Sequence, residues 1–450
     1  MSTEVKEGAV GLRRAIGMTD LIVYGLVFIG PAAAVSIFGA LDAKSHGAVP
    51  VVYLVATVAM SFTAYSYALM SREVPRAGSV FAYASAGIGP RTGFIAGWMV
   101  MLDYLLIPSV AYLFTGIAMN SFVPSVPSWV WTVAAVLLTT ALNLAGVKVA
   151  ARVAAATVVA EVVVLAVVLA GGVVVLVHQG PARGWLTPLT GVGGFSFAAV
   201  MAAVSVAVLS YLGFDAIATF AEETVGGSRL VGKATFACLV VAGVLFAAQT
   251  YVGAVLSPAT PHQLAADPAS QGSAYYTMVD QQIAHWLSVL LAVVKALGAS
   301  FSAMVAQAAA ARILLDMGRD SRLPRLLTRI SDSTGVPAAG LLLVALLNSA
   351  LAVWAASRPD GLDILVSVVN IGALTAFVLL HASVVGYFYV RRAAAERDLV
   401  RHLLAPVTGA LILAAVMVSA SHQAQVIGLV WLAVGLVVVV VQARRVTAAA

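Results

Sequence analysis

Apolar residues run through this chain in long blocks, separated by short polar connections. The blocks lie near 18–42, 50–70, 91–119, 128–146, 153–177, 195–222, 234–256, 283–311, 337–356, 362–390, 403–420 and 425–442. A helix needs roughly 20 mostly apolar residues to cross the hydrocarbon layer. The pattern therefore predicts twelve membrane-spanning helices and an all-α polytopic fold. The longest connection, SPATPHQLAADPASQGSAYYTMVDQQ (257–282), is rich in Pro, Ala and Ser and reads as a cap on the outer side.

Composition points to the same solvent. Only 10% of residues are charged and 62% are hydrophobic, whereas an ordinary soluble domain is about 25% charged. Mean hydropathy is +1.01. A single core could not hide so much apolar surface from water. One cysteine, Cys238, leaves no disulfide framework. The N-terminal stretch MSTEVKEGAVGLRRAIG is charged and has no small-residue cleavage site before a short apolar core, so no signal peptide is expected.

The net charge of +6 is explained by where the cations sit, and no nucleic-acid partner is needed. Alternate connections hold Arg72, Arg76 and Arg91; Lys148 and Arg152; Arg229 and Lys233; Arg312, Arg319, Arg322, Arg325 and Arg329; Arg391, Arg392, Arg397 and Arg401. The tails add Lys6, Arg13, Arg14, Arg444 and Arg445, and the opposite connections hold only Lys44, Arg183 and Arg358. Lysine and arginine in short loops set orientation. The expectation is a multi-pass protein of the cytoplasmic membrane with both termini inside. The densest basic loop, DMGRDSRLPRLLTRISDSTGVP (316–337), reads as an orientation and anionic-lipid element.

Two of the predicted spans are flawed as helices. The first, TDLIVYGLVFIGPAAAVSIFGAL (19–41), carries Gly30-Pro31 near its middle, and proline removes a backbone donor and clashes with the preceding turn. The sixth contains LSYLGFDAIATFAEET (209–224), with Gly213 and Asp215 at a similar depth. Glycine and proline are common in membrane helices, so one such break means little. Paired breaks in the leading helix of each half point to an inverted-repeat transporter whose cargo binds at the exposed peptide groups.

The same stretches carry a family resemblance. SYLGFDAIATFAEET resembles the sixth-helix signature of amino acid–polyamine–organocation permeases. PRAGSVFAYASAGIGPRTGFIAGWMVMLDYLLIP (75–108), NLAGVKVAARV (143–153), ARILLDMGRDSRLP (311–324) and VNIGALTAF (369–377) are similar to further family motifs, in order and across most of the chain. The LDYL, GFDAIAT and MGRD wording looks like the putrescine-importer branch. The resemblance implies a five-plus-five inverted repeat over about 15–180 and 190–392, with two extra helices in 400–445. It also implies a site among the first, third, sixth, eighth and tenth spans, and exchange or proton coupling. The expected function is proton-coupled import of amino acids or polyamines by alternating access, with an exchanger of the same fold as the alternative.

Candidate residues follow from both readings. Gly30, Pro31, Ala32, Gly213 and Phe214 form the breaks. Asp215 is either a substrate-amine contact, a proton carrier or a cap for the unwound backbone. Tyr24, Tyr104 and Tyr211 could hold an ammonium by cation–π attraction, with Asp103 as a second amine contact; packing is the bland reading of each tyrosine. Glu161 lies deep in the fifth span, where proton-coupled relatives place a lysine in lieu of sodium. The acidic residue breaks that carry-over, yet burial favours a carboxylate that carries a proton. Lys295, deep in the eighth span, either pairs with Glu161 or Asp215 or snorkels outward. Arg72, Glu222, Glu223 and Arg229 could form a cytoplasmic gate or be solvated helix-end charges. His381 reads as a neutral hydrogen-bonded core residue, with proton transfer the alternative.

Other chemistry is not expected. GSRLVGKA (227–234) nearly spells a phosphate loop, but it ends in Ala234 and no strand precedes it. No zinc-protease motif or nucleophile elbow occurs, so neither an enzyme nor a metal or cofactor is expected. A channel would want a repeated filter or pore ring, and none is legible.

Overall fold

The computed structural model describes residues 17–74, 80–145, 147–215, 217, 224–225, 227–319, 326, 330, 336–391 and 397–449. The first half comprises α1 (Met18–Ile29), α2 (Ala33–Lys44), α3 (Val49–Glu73), α4 (Val80–Gly87), α5 (Pro90–Phe122), α6 (Ser128–Ala145) and α7 (Val147–Gln179). A short α8 (Thr187–Thr190) leads to α9 (Phe197–Ala207) and α10 (Gly227–Leu256). Then come α11 (Pro261–Ala266), α12 (Ala274–Gln282), α13 (His285–Arg319), α14 (Ala338–Ala356) and α15 (Gly361–Val385). Two π-helical turns, Gly386–Arg391 and Val400–Leu404, precede α16 (Ala405–Val418) and α17 (His422–Ala449).

Among the described residues, nine helices are long and apolar enough to cross a membrane. The shorter Ser128–Leu144, the α1–α2 pair and the Phe197–Tyr211 stretch occupy the other three expected spans. The pattern of apolar blocks does not predict α4. It is a separate eight-residue helix packed on α5 and α15.

Both predicted interruptions are real. Gly30 ends α1 with φ +74° and ψ 107°, and α2 begins at Ala33. In the second break α9 tightens into a 3₁₀ turn at Val208–Tyr211, Leu212 swings to φ −58° and ψ 134°, and Gly213 follows with φ +105°. Glycine holds both kinks because a positive φ forces a side chain against the backbone.

Helices from the two halves of the chain pack on one another. α3 lies along α10, and α5 lies along α13. α5 also packs on α15, α13 on α7, α1 on α10 and α3 on α9. One continuous apolar core links α2, α3, α5, α9, α10 and α15 around the breaks.

Backbone strain and steric exclusion can be separated by substitution. A Cβ on Gly30 meets nothing within 4 Å, so Gly30→Ala is expected to cost only the strain, about 1–2 kcal/mol. A Cβ on Gly39 would run into the Gln271 backbone, so Gly39→Ala should lose more. Thermal unfolding in detergent checks the order, and an unaltered Gly30→Ala midpoint would argue against the kinked backbone.

Candidate functional site

Unwinding a helix in hydrocarbon frees peptide groups that must find partners. At the first break, Pro31 brings no N–H, and the Ala32 amide donates to Glu161 Oε2 at 3.3 Å. The Pro31 carbonyl accepts from Gln249 Nε2 at 2.9 Å. Glu161 reaches in from α7 and is only 3% exposed. A side chain on Gly298 would collide with its carboxylate, so the group lies flat against the backbone of α13.

Glu161 and Lys295 line a cavity of about 100 Å³ between the breaks, together with Gly30, Ser210, Leu212 and Phe114. Lys295 is 5% exposed, and its Nζ lies 5.9 Å from the centre of the Phe114 ring. The ammonium and carboxylate feel each other's charge without a direct ion-pair contact among the described residues. The cavity thus presents one charge of each sign beside the unwound backbone.

A second polar zone adjoins it. Asp215 Oδ2 accepts from the Tyr67 hydroxyl at 3.2 Å, and Asp103, Tyr104 and Tyr83 lie within electrostatic reach of the same carboxylate. Asp103 Oδ1 and the Tyr83 hydroxyl are buried with no hydrogen-bond partner among the described residues. Phe214 packs beside Tyr67 and Phe377, with ring centres 5.8–6.0 Å apart. Asp103 precedes the cavity-lining Ile107 by one turn of α5, a rise of about 6 Å. The two zones are neighbours.

The remaining predicted residues divide. The Tyr211 hydroxyl bonds Thr57 Oγ1 at 2.7 Å and donates to the Tyr53 carbonyl at 3.1 Å, which ties the second break to α3 and away from the cavity. The Tyr24 backbone belongs to α1, but its side chain lies outside the described residues, as do Glu222 and Glu223. Arg72 and Arg229 are exposed, near the end of α3 and the start of α10. His381 is buried, with Ser66 Oγ at 2.8 Å from Nδ1 and Thr63 Oγ1 at 3.3 Å from Nε2. Sequence reasoning missed Gln249 and also Asn370, whose amide donates to the carbonyls of Ser205 and Val206 at 2.7 and 3.1 Å. The available signal was a lone amide inside each apolar run.

At the far end of α2 the molecule is latched. Arg183 grips Asp42 through two bonds of 2.9 and 2.7 Å and also reaches the Ala259 carbonyl. Asp42 is fully buried and the Arg183 side chain nearly so, at 9%. Lys44 pairs with Asp363 at the start of α15 at 3.0 Å, with side chains 31% and 25% exposed. Two ion pairs therefore hold one short helix end, one dry and one wet.

Comparison with known proteins covers nearly the whole chain. Residues 19–443 match the family model described as amino acid permease. The low-affinity putrescine importer PlaP of Escherichia coli K12 is 31% identical over 433 residues, covering 95% of this chain and 93% of that protein. The branched-chain amino acid permease BcaP of Lactococcus lactis subsp. cremoris is 27% identical, covering 76% and 74%. Human cationic amino acid transporter 4 is 25% identical, covering 83% and 60%.

The two latches should respond differently to truncation. Arg183→Ala leaves the Asp42 carboxylate buried and alone, an expected loss of about 3–5 kcal/mol. Lys44→Ala removes a part-exposed pair and should cost at most about 1 kcal/mol. Unfolding midpoints of the two purified variants test this, and similar losses would contradict the assignment of one dry and one wet pair.

Proposed function

The chain belongs to the amino acid permease family, and from that premise we propose that it is a secondary active transporter importing small amine-bearing solutes, polyamines ahead of amino acids, across the cytoplasmic membrane. The distribution of donors and acceptors around the two breaks carries this reading. A substrate carboxylate would look for free amides at the first break. Pro31 has none there, and Ala32 N–H is spent on Glu161. An ammonium finds more. Asp103 Oδ1 has no hydrogen-bond partner among the described residues and lies within electrostatic reach of Asp215, as do Tyr67, Tyr83 and Tyr104. Paired carboxylates and aromatic faces suit a cation with no negative end.

Import needs a driving gradient. Glu161 and Lys295 share the cavity with the first break, so a proton gained by Glu161 weakens its hold on Ala32 N–H and alters the break itself. That supports proton coupling through α7 and α13. The two halves act as repeats over about 15–180 and 190–392, and alternating access rocks them about the breaks. The cation-rich connections support a reading with both termini in the cytoplasm, and Arg72 and Arg229 remain candidates, with Glu222 and Glu223, for a cytoplasmic gate.

Purified protein in liposomes tests the substrate class. Saturable accumulation of putrescine under an inward proton gradient is expected, with branched-chain amino acids failing to compete. Accumulation of amino acids with putrescine ignored would overturn the polyamine reading, and unsaturable flux would indicate a pore. Asp103→Asn should weaken putrescine affinity roughly tenfold or more, the loss of one charged contact.

Coupling is separable from binding. Glu161→Gln retains an oxygen for Ala32 N–H but carries no titrating proton. It should impair gradient-driven uptake more than exchange of internal for external substrate. Equal loss of both activities, or loss of neither, would remove Glu161 from coupling.

A further inference from the structure

The inner ends of α3 and α10 meet the two π-helical turns around a cavity of about 740 Å³. Three cations from three different elements line it: Arg72 near the end of α3, Lys233 in the second turn of α10 and Arg401 on the second π turn. Arg72 and Lys233 have no carboxylate partner among the described residues. Arg401 lies 3.5 Å from Asp398, whose other oxygen is occupied by the Val400 and Arg401 amides at 3.0 and 2.9 Å. The remaining carboxylate at the cavity, Glu73, already has a partner. One wall is a parallel stack of Phe388 on His402, with ring centres 3.7 Å apart and planes 6° apart. π-helical turns are rare and gather at functional sites, and here two of them build one pocket.

The pocket does not end in polar surface. Tyr65 also lines a second cleft of about 340 Å³, formed with Val58, Ser61, Phe62, Val400 and Ala405. Positions 58, 61, 62 and 65 form one stripe of α3 and lead from the cationic end toward mid-membrane, about 20 Å from residue 72 to residue 58 by helical rise. Val58 and Val400 are more than half exposed along it. A cationic cup opening sideways into a groove with apolar walls matches a molecule with an anionic head and a hydrocarbon tail.

We propose that this composite groove is a binding site for one anionic phospholipid, its phosphate held by Arg72, Lys233 and Arg401 and an acyl chain laid along the 58–65 stripe. The placement in the cytoplasmic leaflet rests on the orientation proposed above; the binding itself does not. A soluble anion would fill the cup alone and leave the apolar groove empty, whereas a zwitterionic lipid would fill the groove but bring its own cation against Arg72, Lys233 and Arg401. Bound there, the lipid bridges α3, α10 and the turns before α16.

The test uses full-length protein in detergent, titrated with phosphatidylglycerol, phosphatidylcholine or glycerol 3-phosphate, and read by native mass spectrometry and thermal shift. Saturable one-to-one binding of phosphatidylglycerol is expected, at least tenfold tighter than phosphatidylcholine, with no shift from glycerol 3-phosphate. Lys233→Gln should weaken it about fivefold, and Lys233→Gln with Arg401→Gln about 25-fold, since each cation near an anionic lipid contributes about 1 kcal/mol. Arg358→Gln, at an exposed arginine in the α14–α15 connection, should leave affinity unchanged. Equal affinity for phosphatidylcholine, tight binding of glycerol 3-phosphate alone, or an equal effect of Arg358→Gln would each overturn the proposal. Detergent micelles have no sides, so an inverted orientation would leave this result intact and appear only in sided labelling of liposomes.

Discussion

Everything near the middle of this molecule depends on one constraint: peptide groups released inside hydrocarbon must be partnered by protein, because no water is there to do it. The first break meets it with side chains from distant segments, Glu161 for the Ala32 amide and Gln249 for the Pro31 carbonyl. The second break is braced in the same way, with Asn370 on the carbonyls of Ser205 and Val206 and Tyr211 on α3. Each kink is thus fastened to a helix of another part of the fold. Movement of a kink must either carry its partner along or exchange that partner for something else.

That fastening also separates two kinds of charge. Glu161 and Lys295 are opposite in sign, deeply buried, and face each other across a small cavity. Asp103 and Asp215 are alike in sign and sit among hydroxyls. Like charges held together in low dielectric repel strongly, so the second zone attracts a cation or a proton. The first zone sets opposite signs in one cavity, so a proton taken up by Glu161 would leave the Lys295 charge uncompensated there.

Much of this was legible in the sequence, for identifiable reasons. Span lengths and the cation bias follow directly from bilayer thickness and loop composition, so all twelve blocks correspond to helical segments. Gly30-Pro31 and Gly213 announced both breaks because only a few residue types tolerate that backbone. Gln249 stood out only as a lone amide in an apolar run, and its role was not legible because its partner is 218 residues away. α4 was missed because eight residues between two spans resemble a connection. Tyr211 shows the opposite difficulty: its place beside the break suggested a ligand contact, but the 3₁₀ turn directs its hydroxyl to Thr57 and Tyr53. Sequence spacing locates a residue along a helix, but a change of helix type rotates where it points.

The latches at the end of α2 carry the argument from static fold to cycle. A contact that must open at every turnover has to be cheap to break. The Arg183–Asp42 pair is not cheap, since parting it would strand two charges in a dry site. Lys44 and Asp363 are both partly in water, and each is solvated as the other departs. The dry pair therefore binds α2 to the connection after α7, and the same Arg183 reaches the Ala259 carbonyl. The wet pair, which bridges α2 to α15, is the cheaper of the two to part. On this division, any parting of Lys44 from Asp363 would be felt at Glu161 through a single helix of about three turns, α2, whose other end is tied to that carboxylate by the Ala32 amide.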